Sequence, residues 1–250
     1  TMRQRAWKAV QQLPRPTAKD EAWRRTDPAR YPYDEASAGP AEDWPLDAEI
    51  ASPLKEEPVG GWLINHPGKS GELYLDPALE EKGVILVDWA SAVLGHSALL
   101  EAYLNTVVDV EKHWFAALAS SMVQDGVVIY VPPGVQVEKP LRTVFWAPGA
   151  GKAFFSRVLV IVDEGASLEL EQEYASPTEP ERSAFHAGVV EVIVKQGAHL
   201  VWSSVQNWGE HVWDVSHKRV RIGRDAHVQW NSAVFGGQTS KVFSDMDLAG

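Results

Sequence analysis

The sequence predicts a mainly β protein, a parallel β-helix, because one short unit occurs four times in the second half of the chain. Each copy is an alternating apolar run, a turn and a second alternating run. The copies are IYVPPGVQV (129–137), VIVDEGASL (160–168), VIVKQGAHL (192–200) and VRIGRDAHV (220–228). Their turn residues lie 31, 32 and 28 positions apart, without a helical crossover pattern between them. This period predicts stacked coils, although the strands of an antiparallel sandwich or jelly roll would also alternate.

Four columns of the aligned copies are apolar, at five and three residues before the turn residue and one and three residues after it. They hold Ile129, Val160, Val192 and Val220; Val131, Val162, Val194 and Ile222; Val135, Ala166, Ala198 and Ala226; and Val137, Leu168, Leu200 and Val228. Positions two apart on a strand share a face, so these columns predict the buried face of each coil. The column two after the turn predicts the outer face, and it holds Gln136, Ser167, His199 and His227.

The residue at each turn supports the same interpretation. The turn positions hold Gly134, Gly165, Gly197 and Asp225. Glycine adopts a positive φ without steric cost, and aspartate tolerates it better than most residues. Each unit therefore predicts a strand, a tight bend and a second strand.

The composition argues against several classes of function. A net charge of −11 disfavours a general role on nucleic acid or on an anionic membrane. The chain has no cysteine, which excludes disulfides, thiolate metal sites and cysteine nucleophiles within it. The segment MRQRAWKAVQQLP lacks the apolar core of a signal peptide, and charges such as Asp88 and Asp163 interrupt the longest apolar stretches. We therefore expect a globular protein in the cytoplasm.

The first half of the chain predicts a helical and irregular region over residues 1–125, which precedes the β-helix core over 126–250. Residues 3–13 predict a helix with Ala6, Val10 and Leu13 on one face, and Pro14 ends it. Proline and charge over 14–60 predict an irregular arm, and apolar runs within 61–76 and 83–88 predict short strands.

Residues 96–122 predict one further helix. Its apolar face carries Val110, Trp114, Phe115, Leu118 and Met122. Asp109 is a candidate N-cap, and Gly126 follows the helical stretch. At the other end of the chain, the run SKVFSDMDLAG (240–250) begins like a further coil, so we expect the chain to be part of a longer β-helix.

Candidate metal ligands are few. His199 and His227 occupy the same outer column on successive coils, so in a stacked helix they would lie about 5 Å apart. That distance suits a shared metal, but no third ligand is evident, which favours two exposed histidines. His211 and His217 lie between the third and fourth coils and could approach each other, but nothing in the sequence fixes them.

Two further constellations have both a functional and a structural interpretation. Glu169, Glu171 and Glu173 alternate on a predicted outer face, where they suit either general acid–base chemistry or simple solvation. Tyr130, Trp202 and Trp230 could form an aromatic stripe for sugar binding. The two tryptophans, however, are in phase with the buried columns, which favours core packing. We therefore predict no catalytic, cofactor-binding or metal-binding residue in this chain.

Several segments resemble the SufB/SufD family. LPRPTAKDEAWRRTD (13–27) resembles the N-terminal motif of SufD-type members. HWFAALASSMVQDGVVIYVPPGVQVEKPL (113–141) resembles the segment that enters the family core, with matches at Asp125, Gly126, Tyr130, Val131, Pro132, Gly134 and Val135. RVLVIVDEGASLELEQEY (157–174) and FGGQTSKVFSDMDLAG (235–250) resemble later coils of that core.

This resemblance implies a right-handed parallel β-helix and membership of the SUF machinery for iron–sulfur cluster assembly. It implies a non-enzymatic scaffold whose partners are SufB and the ATPase SufC. The absence of cysteine favours a SufD-type protein over a SufB-type paralogue. The iron–sulfur cluster is expected to be associated with the full complex, because the family's functional histidine and its cluster-linked positions are expected beyond residue 250.

The alternative is an enzyme, a β-helical polysaccharide lyase or hydrolase. Such enzymes need acidic and basic side chains clustered on one outer sheet. The outer columns here hold Gln136, Ser167, His199 and His227, and Glu138, Glu169, Val201 and Gln229. This mixture favours the scaffold.

Overall fold

The structure is a computed structural model, and it describes residues 1–38, 59–66, 71–147, 149, 151–177 and 182–249. Two stacked sheets form a parallel β-helix of about four turns. Most of the predicted irregular arm, 39–58, lies outside the described residues. Within the described residues, no helix combines the length and the apolar character needed to cross a bilayer.

Sheet A contains six strands in a row, with a short seventh strand at one side. Its order is β13 (Thr239–Leu248), β11 (Val212–Ile222), β9 (Ala184–Val194), β7 (Lys152–Val162), β5 (Asp125–Val131) and β4 (Ile85–Asp88), and β1 (Ser37–Ala38) pairs with β7. Sheet B has the order β12 (His227–Val234), β10 (His199–Asn207), β8 (Ser167–Ala175), β6 (Leu141–Trp146), β2 (Gly61–Asn65) and β3 (Glu72–Leu75). From β5 to β13, each coil therefore contributes one strand to each sheet in turn, which confirms the predicted fold class.

The stacking is in register, and it places the apolar columns in one core. On sheet A, Val160 pairs with Val192, which pairs with Val220. On sheet B, Leu168 pairs with Leu200, which pairs with Val228. All four columns line the core or pack against it, and their members on the last coil are mostly half-buried. Gln136, His199 and His227 are exposed and Ser167 is half-buried, which confirms the predicted outer column.

The turn residues adopt the predicted conformation. Gly134, Gly165 and Gly197 have φ values of 72°, 63° and 65°, and Asp225 has a φ of 57°. The first copy differs in its second run, because β6 begins only at Leu141 and Gln136 forms an isolated bridge. Pro140 lies directly before β6, and proline has no N–H to extend the ladder backwards.

The short strands before the repeats cover one end of the β-helix. β2 pairs in parallel with β6, and β3 pairs with β2 in antiparallel fashion. β4 pairs with β5, also in antiparallel fashion. These strands confirm the runs predicted within 61–76 and 83–88. They also extend both sheets with residues from the predicted N-terminal region, while the division of domains at 125 and 126 remains a prediction.

Four of the five described α-helices cover the outer face of sheet A, and the buried Leu79 of the remaining helix, Pro77–Glu81, joins the core between the sheets. The α-helices are α1 (Met2–Gln12), α2 (Pro77–Glu81), α3 (Trp89–Gly95), α4 (Ser97–Tyr103) and α5 (Trp114–Met122). The helix predicted over 3–13 is confirmed as α1, which packs on α5, and α5 packs on β7, β9 and β11. The buried centre of this layer contains Trp23, Tyr31, Phe115 and Phe185. Short 3₁₀ helices lie at 21–23, 28–30 and 32–34, and the first of them carries Trp23.

The prediction of one helix over 96–122 is wrong. α4 ends at Tyr103 and α5 begins at Trp114, and Asn105 between them has a φ of 61°. Asp109 accepts a hydrogen bond from the backbone N–H of Glu111 instead of capping a helix. His113 occupies the N-cap position of α5 without a capping side-chain bond. The cause of the break is a buried anchor on sheet A, described below.

Candidate functional site

The interior of the β-helix is apolar beside the tight turns and polar farther from them. We call the polar part the interior polar cluster, and all its members are at most 3% exposed. On sheet A it contains Ser156, His186, Asp214, Ser216 and Lys218; on sheet B it contains Thr143, Gln172, Tyr174, Ser204 and Gln206. These residues share the inward face with the apolar columns, because they lie at even spacings from them along the same strands.

Asp214 lies at the centre of this cluster. Its Oδ1 is 2.6 Å from Nδ1 of His186 and accepts a hydrogen bond of 2.8 Å from Ser216 Oγ. Its Oδ2 accepts a hydrogen bond of 2.7 Å from Ser240 Oγ. Burial favours the neutral acid, but the hydrogen bonds from His186, Ser240 and Ser216 outweigh it and lower the pKa of Asp214. Asp214 is therefore a fully buried carboxylate.

His186 extends the hydrogen-bond chain to the preceding coil. Its Nε2 lies 2.8 Å from Ser156 Oγ, so Ser156, His186 and Asp214 have the order of a nucleophile, base and acid. Ser156 and His186 are each 1% exposed, which leaves no room for a substrate beside the hydroxyl. Gly188 provides the space for the ring, because a Cβ there would lie 2.9 Å from His186 Cε1. The three groups thus form a closed chain.

Lys218 is the one ammonium group of the cluster. Its Nζ donates a hydrogen bond of 3.2 Å to Ser204 Oγ on the opposite sheet. It lies 5.3 Å from the ring centre of Tyr174 and 5.9 Å from that of Trp202. Burial lowers the pKa of Lys218, and the charge of Asp214 opposes this effect. Aromatic faces stabilise a cation at such distances, which offsets part of the lost hydration.

A second buried polar group lies on the outer face of sheet A. Arg157 and Glu191 form an ion pair that is at most 1% exposed. The Glu191 carboxylate also accepts hydrogen bonds of 2.8 Å from the backbone N–H groups of Asn105, Val107 and Val108. We call residues 104–108 the strap, because this anchor ties them to the sheet. These three N–H groups donate to a carboxylate, so they are not available for the backbone hydrogen bonds of a helix. This explains the break between α4 and α5.

The two candidate metal ligands on the outer face have no third ligand beside them among the described residues. His199 and His227 are neighbours in register with ring centres 5.9 Å apart, and both are exposed. No group of three or more His, Asp or Glu side chains suited to a metal occurs among the described residues. His211 and His217 are both buried. The ring of His217 stacks on Phe243, and burial lowers its pKa to about 3.

The predicted glutamates share the outer face of β8, whereas the aromatic stripe is divided. Glu169 is exposed on the outer face of β8, Glu171 pairs with Arg142, and burial raises the pKa of Glu173. Trp202 is buried in the core and stacks on Trp230 with ring centres 4.6 Å apart. The Tyr130 hydroxyl donates to Asp163 elsewhere on the molecule, at 3.0 Å. Core packing of the tryptophans is thus confirmed.

The fold and the interior define a class of protein: a two-sheet parallel β-helix with a helical layer on one sheet and a polar core. Comparison with protein families assigns the chain more closely. Residues 72–143 match the family model described as SufBD protein N-terminal region, and residues 145–250 match the SUF system FeS cluster assembly, SufBD core domain. The chain belongs to the SufB/SufD family.

Curated relatives lead to the same family. An iron-sulfur cluster assembly SufBD family protein of Staphylococcus saprophyticus is 31% identical to this chain over 176 residues. Proteins of the same description from Staphylococcus haemolyticus and Staphylococcus epidermidis are 32% identical over 176 residues. Each alignment covers 70% of this chain and 38% of the relative. The chain therefore spans about two fifths of the length of these relatives, and their names do not separate SufB from SufD.

Proposed function

We propose that this chain is part of a SufD-type scaffold protein of the SUF system, which assembles iron–sulfur clusters. The observation that carries the proposal is the consecutive match of the N-terminal and core family models over 72–143 and 145–250. The absence of cysteine supports the SufD type over the SufB type, because a thiolate is the usual ligand of iron in a cluster. The motif EAWRRTD (21–27) supports the same choice.

In this proposal the chain acts through its surfaces and its stiffness, not as an enzyme. β9 pairs with both neighbours along its length, and every residue in it is buried. Such a strand resists bending, so ATP-driven motion of SufC would be transmitted through the β-helix to SufB. We propose no catalytic residue and no bound cofactor for residues 1–250, and we assign the protein to the cytoplasm, where SufC has ATP.

Affinity purification from cells that also produce SufB, SufC and the established SufD tests this proposal. We expect the tagged whole gene product to retain SufB and SufC, and to exclude SufD because it takes the place of SufD. Residues 1–250 alone should fail to retain SufC, because we expect SufC to dock on a helical domain later in the whole gene product.

Two results would contradict the proposal. Retention of SufC by residues 1–250 would overturn the assignment of its binding site to a later domain. Retention of SufD in place of SufB by the whole gene product would identify a SufB-type paralogue. The matched control is the tagged protein with Trp7→Ala, because Trp7 lies on α1 with 47% of its side chain exposed. This variant should retain the same partners as the unchanged chain.

A further inference from the structure

The outer face of sheet B carries two histidines side by side. His199 on β10 and His227 on β12 are direct partners in a parallel ladder that stays in register along both strands. β10 is also paired with β8 on its other side, which fixes its position in the sheet. The ladder therefore holds the two histidine backbones about 5 Å apart. The sequence places both residues in one outer column, but only the observed register makes them neighbours.

Both imidazoles are available to a ligand. The two side chains are exposed, and no hydrogen bond or ion pair with another described residue involves either ring. Their ring centres lie 5.9 Å apart, and the ring planes are inclined by 36°. A neutral imidazole has one ring nitrogen with a free lone pair, which is the group that binds metals. The outer face thus presents two such nitrogens on one rigid element.

The spacing of the two rings suits one metal ion. A metal such as zinc binds an imidazole nitrogen at about 2.1 Å, so two rings on one metal have their centres about 4.5 to 6 Å apart. The observed 5.9 Å lies at the upper end of this range. Rotation of exposed side chains is fast and brings the rings closer by the remaining distance of about 1 Å. Water fills the other positions on the metal, so a third protein ligand is not required.

The charges around the pair permit a divalent cation. Glu169 is exposed on the same face, and it pairs in the ladder with Val201, two residues after His199. Arg224 lies in the turn before β12, and its guanidinium is 3.6 Å from the carboxylate of Asp225. The chain as a whole carries a net charge of −11. A surface of this sign attracts cations.

We propose that His199 and His227 form a surface site for a divalent transition metal, with the two imidazoles as its protein ligands. Imidazole favours nickel, copper and zinc, and among these Cu²⁺ should bind most tightly. Mg²⁺ and Ca²⁺ prefer oxygen ligands and should not bind there. The metal exchanges with solvent and is not a cofactor of the proposed scaffold function, so the site is independent of that function and goes beyond it.

Titration of the metal-free whole gene product with Cu²⁺, followed by calorimetry and electron paramagnetic resonance, tests the site. We expect one bound Cu²⁺ whose spectrum shows two coordinated nitrogens. His199→Gln and His227→Gln should each weaken this binding at least about a hundredfold, because two ligands on one scaffold act together. Glutamine is a suitable replacement, since Gln136 occupies the same outer column on the first coil.

Two controls separate the histidine pair from general attraction of cations. His96→Gln removes a histidine that follows α3, outside the pair, and should leave Cu²⁺ binding unchanged. An excess of Mg²⁺ should not displace the Cu²⁺, whereas a site made by carboxylates such as Glu169 would release it. Unchanged binding in either variant of the pair, an equal loss in His96→Gln, or displacement by Mg²⁺ would overturn the proposal.

Discussion

Asp125 and Asp214 are both buried acids, but their surroundings favour opposite charge states. Asp214 receives hydrogen bonds from three side chains and remains ionised. Asp125 is 6% exposed, and its side chain accepts a hydrogen bond from the backbone N–H of Gly126. Burial, together with the nearby charge of Asp88, raises the pKa of Asp125 to about 7 despite that bond. Burial alone therefore does not set the charge of each acid.

The raised pKa of Asp125 makes the stability of the protein depend on pH. In the unfolded chain the carboxyl loses its proton near pH 3.8, whereas in the folded chain it keeps the proton up to about pH 7. Between these values the folded state binds more protons, so the Asp125 contribution to the free energy of unfolding falls as pH rises. Asp125→Asn removes this fall, and it should gain on the order of a few kcal/mol over the unchanged chain by about pH 8.

Urea unfolding of both proteins between about pH 4 and pH 8 measures this difference. Other groups titrate in the same range, including the buried His217, whose folded pKa is about 3. Their contributions are common to the two proteins and cancel in the difference. Parallel stability curves for Asp125→Asn and the unchanged chain would contradict the prediction.

At the scale of elements, the strap shows where sequence reasoning ends. The helix predicted over 96–122 contains α5, whose Trp114 and Phe115 are buried against sheet A, but the prediction runs through the break before α5. The break before it depends on Glu191, which lies more than 80 residues later in the chain. Only the folded sheet brings this carboxylate to the N–H groups of 105–108, so local periodicity had no signal for it.

Glu191→Gln tests the anchor of the strap. The substitution leaves the Arg157 guanidinium buried without a counter-charge, and it removes acceptors from the strap. Breaking one side of a buried ion pair costs about 3–5 kcal/mol, so we expect a loss of this size in urea unfolding. Hydrogen exchange at the amides of Asn105, Val107 and Val108 should become faster in the variant.

Glu171→Gln is the matched control for this variant, since Glu171 also pairs with an arginine across neighbouring strands. The side chains of Glu171 and Arg142 are 41% and 13% exposed, so the pair keeps part of its hydration. Its loss should cost at most about 1 kcal/mol and leave exchange in the strap unchanged. Equal losses in the two variants would show that burial does not strengthen the Glu191 anchor.

At the scale of the whole molecule, the repeat predicted the stacking but not the polar interior. Polar residues continue the inward phase seven positions after the turn, at Gln172, Ser204 and Ser232. This column indicates polar residues on the inner face, but the predicted inner face contains only the apolar columns. The contact of His186 with Asp214 could not be read in the same way, because it depends on the register between β9 and β11.

The burial of the strands differs along the β-helix, and we expect stability against local opening to differ with it. β9 is paired on both sides and buried at every residue. β13 lies in the same sheet and has nearly the same length, but it pairs with β11 alone among the described strands, and its second half is exposed. Strands with few buried contacts open locally, whereas central strands exchange only by global unfolding.

Native-state hydrogen exchange of residues 1–250 alone should therefore give protection factors in β9 at least about a hundredfold above those in β13, with β7 similar to β9. Because these strands share one sheet and one pairing geometry, the comparison isolates burial and position as the cause. Low concentrations of urea should reduce protection in β9 but hardly change it in β13, since only global unfolding exposes a large surface. Equal protection and equal urea dependence in both strands would mean that the coils open as one cooperative unit.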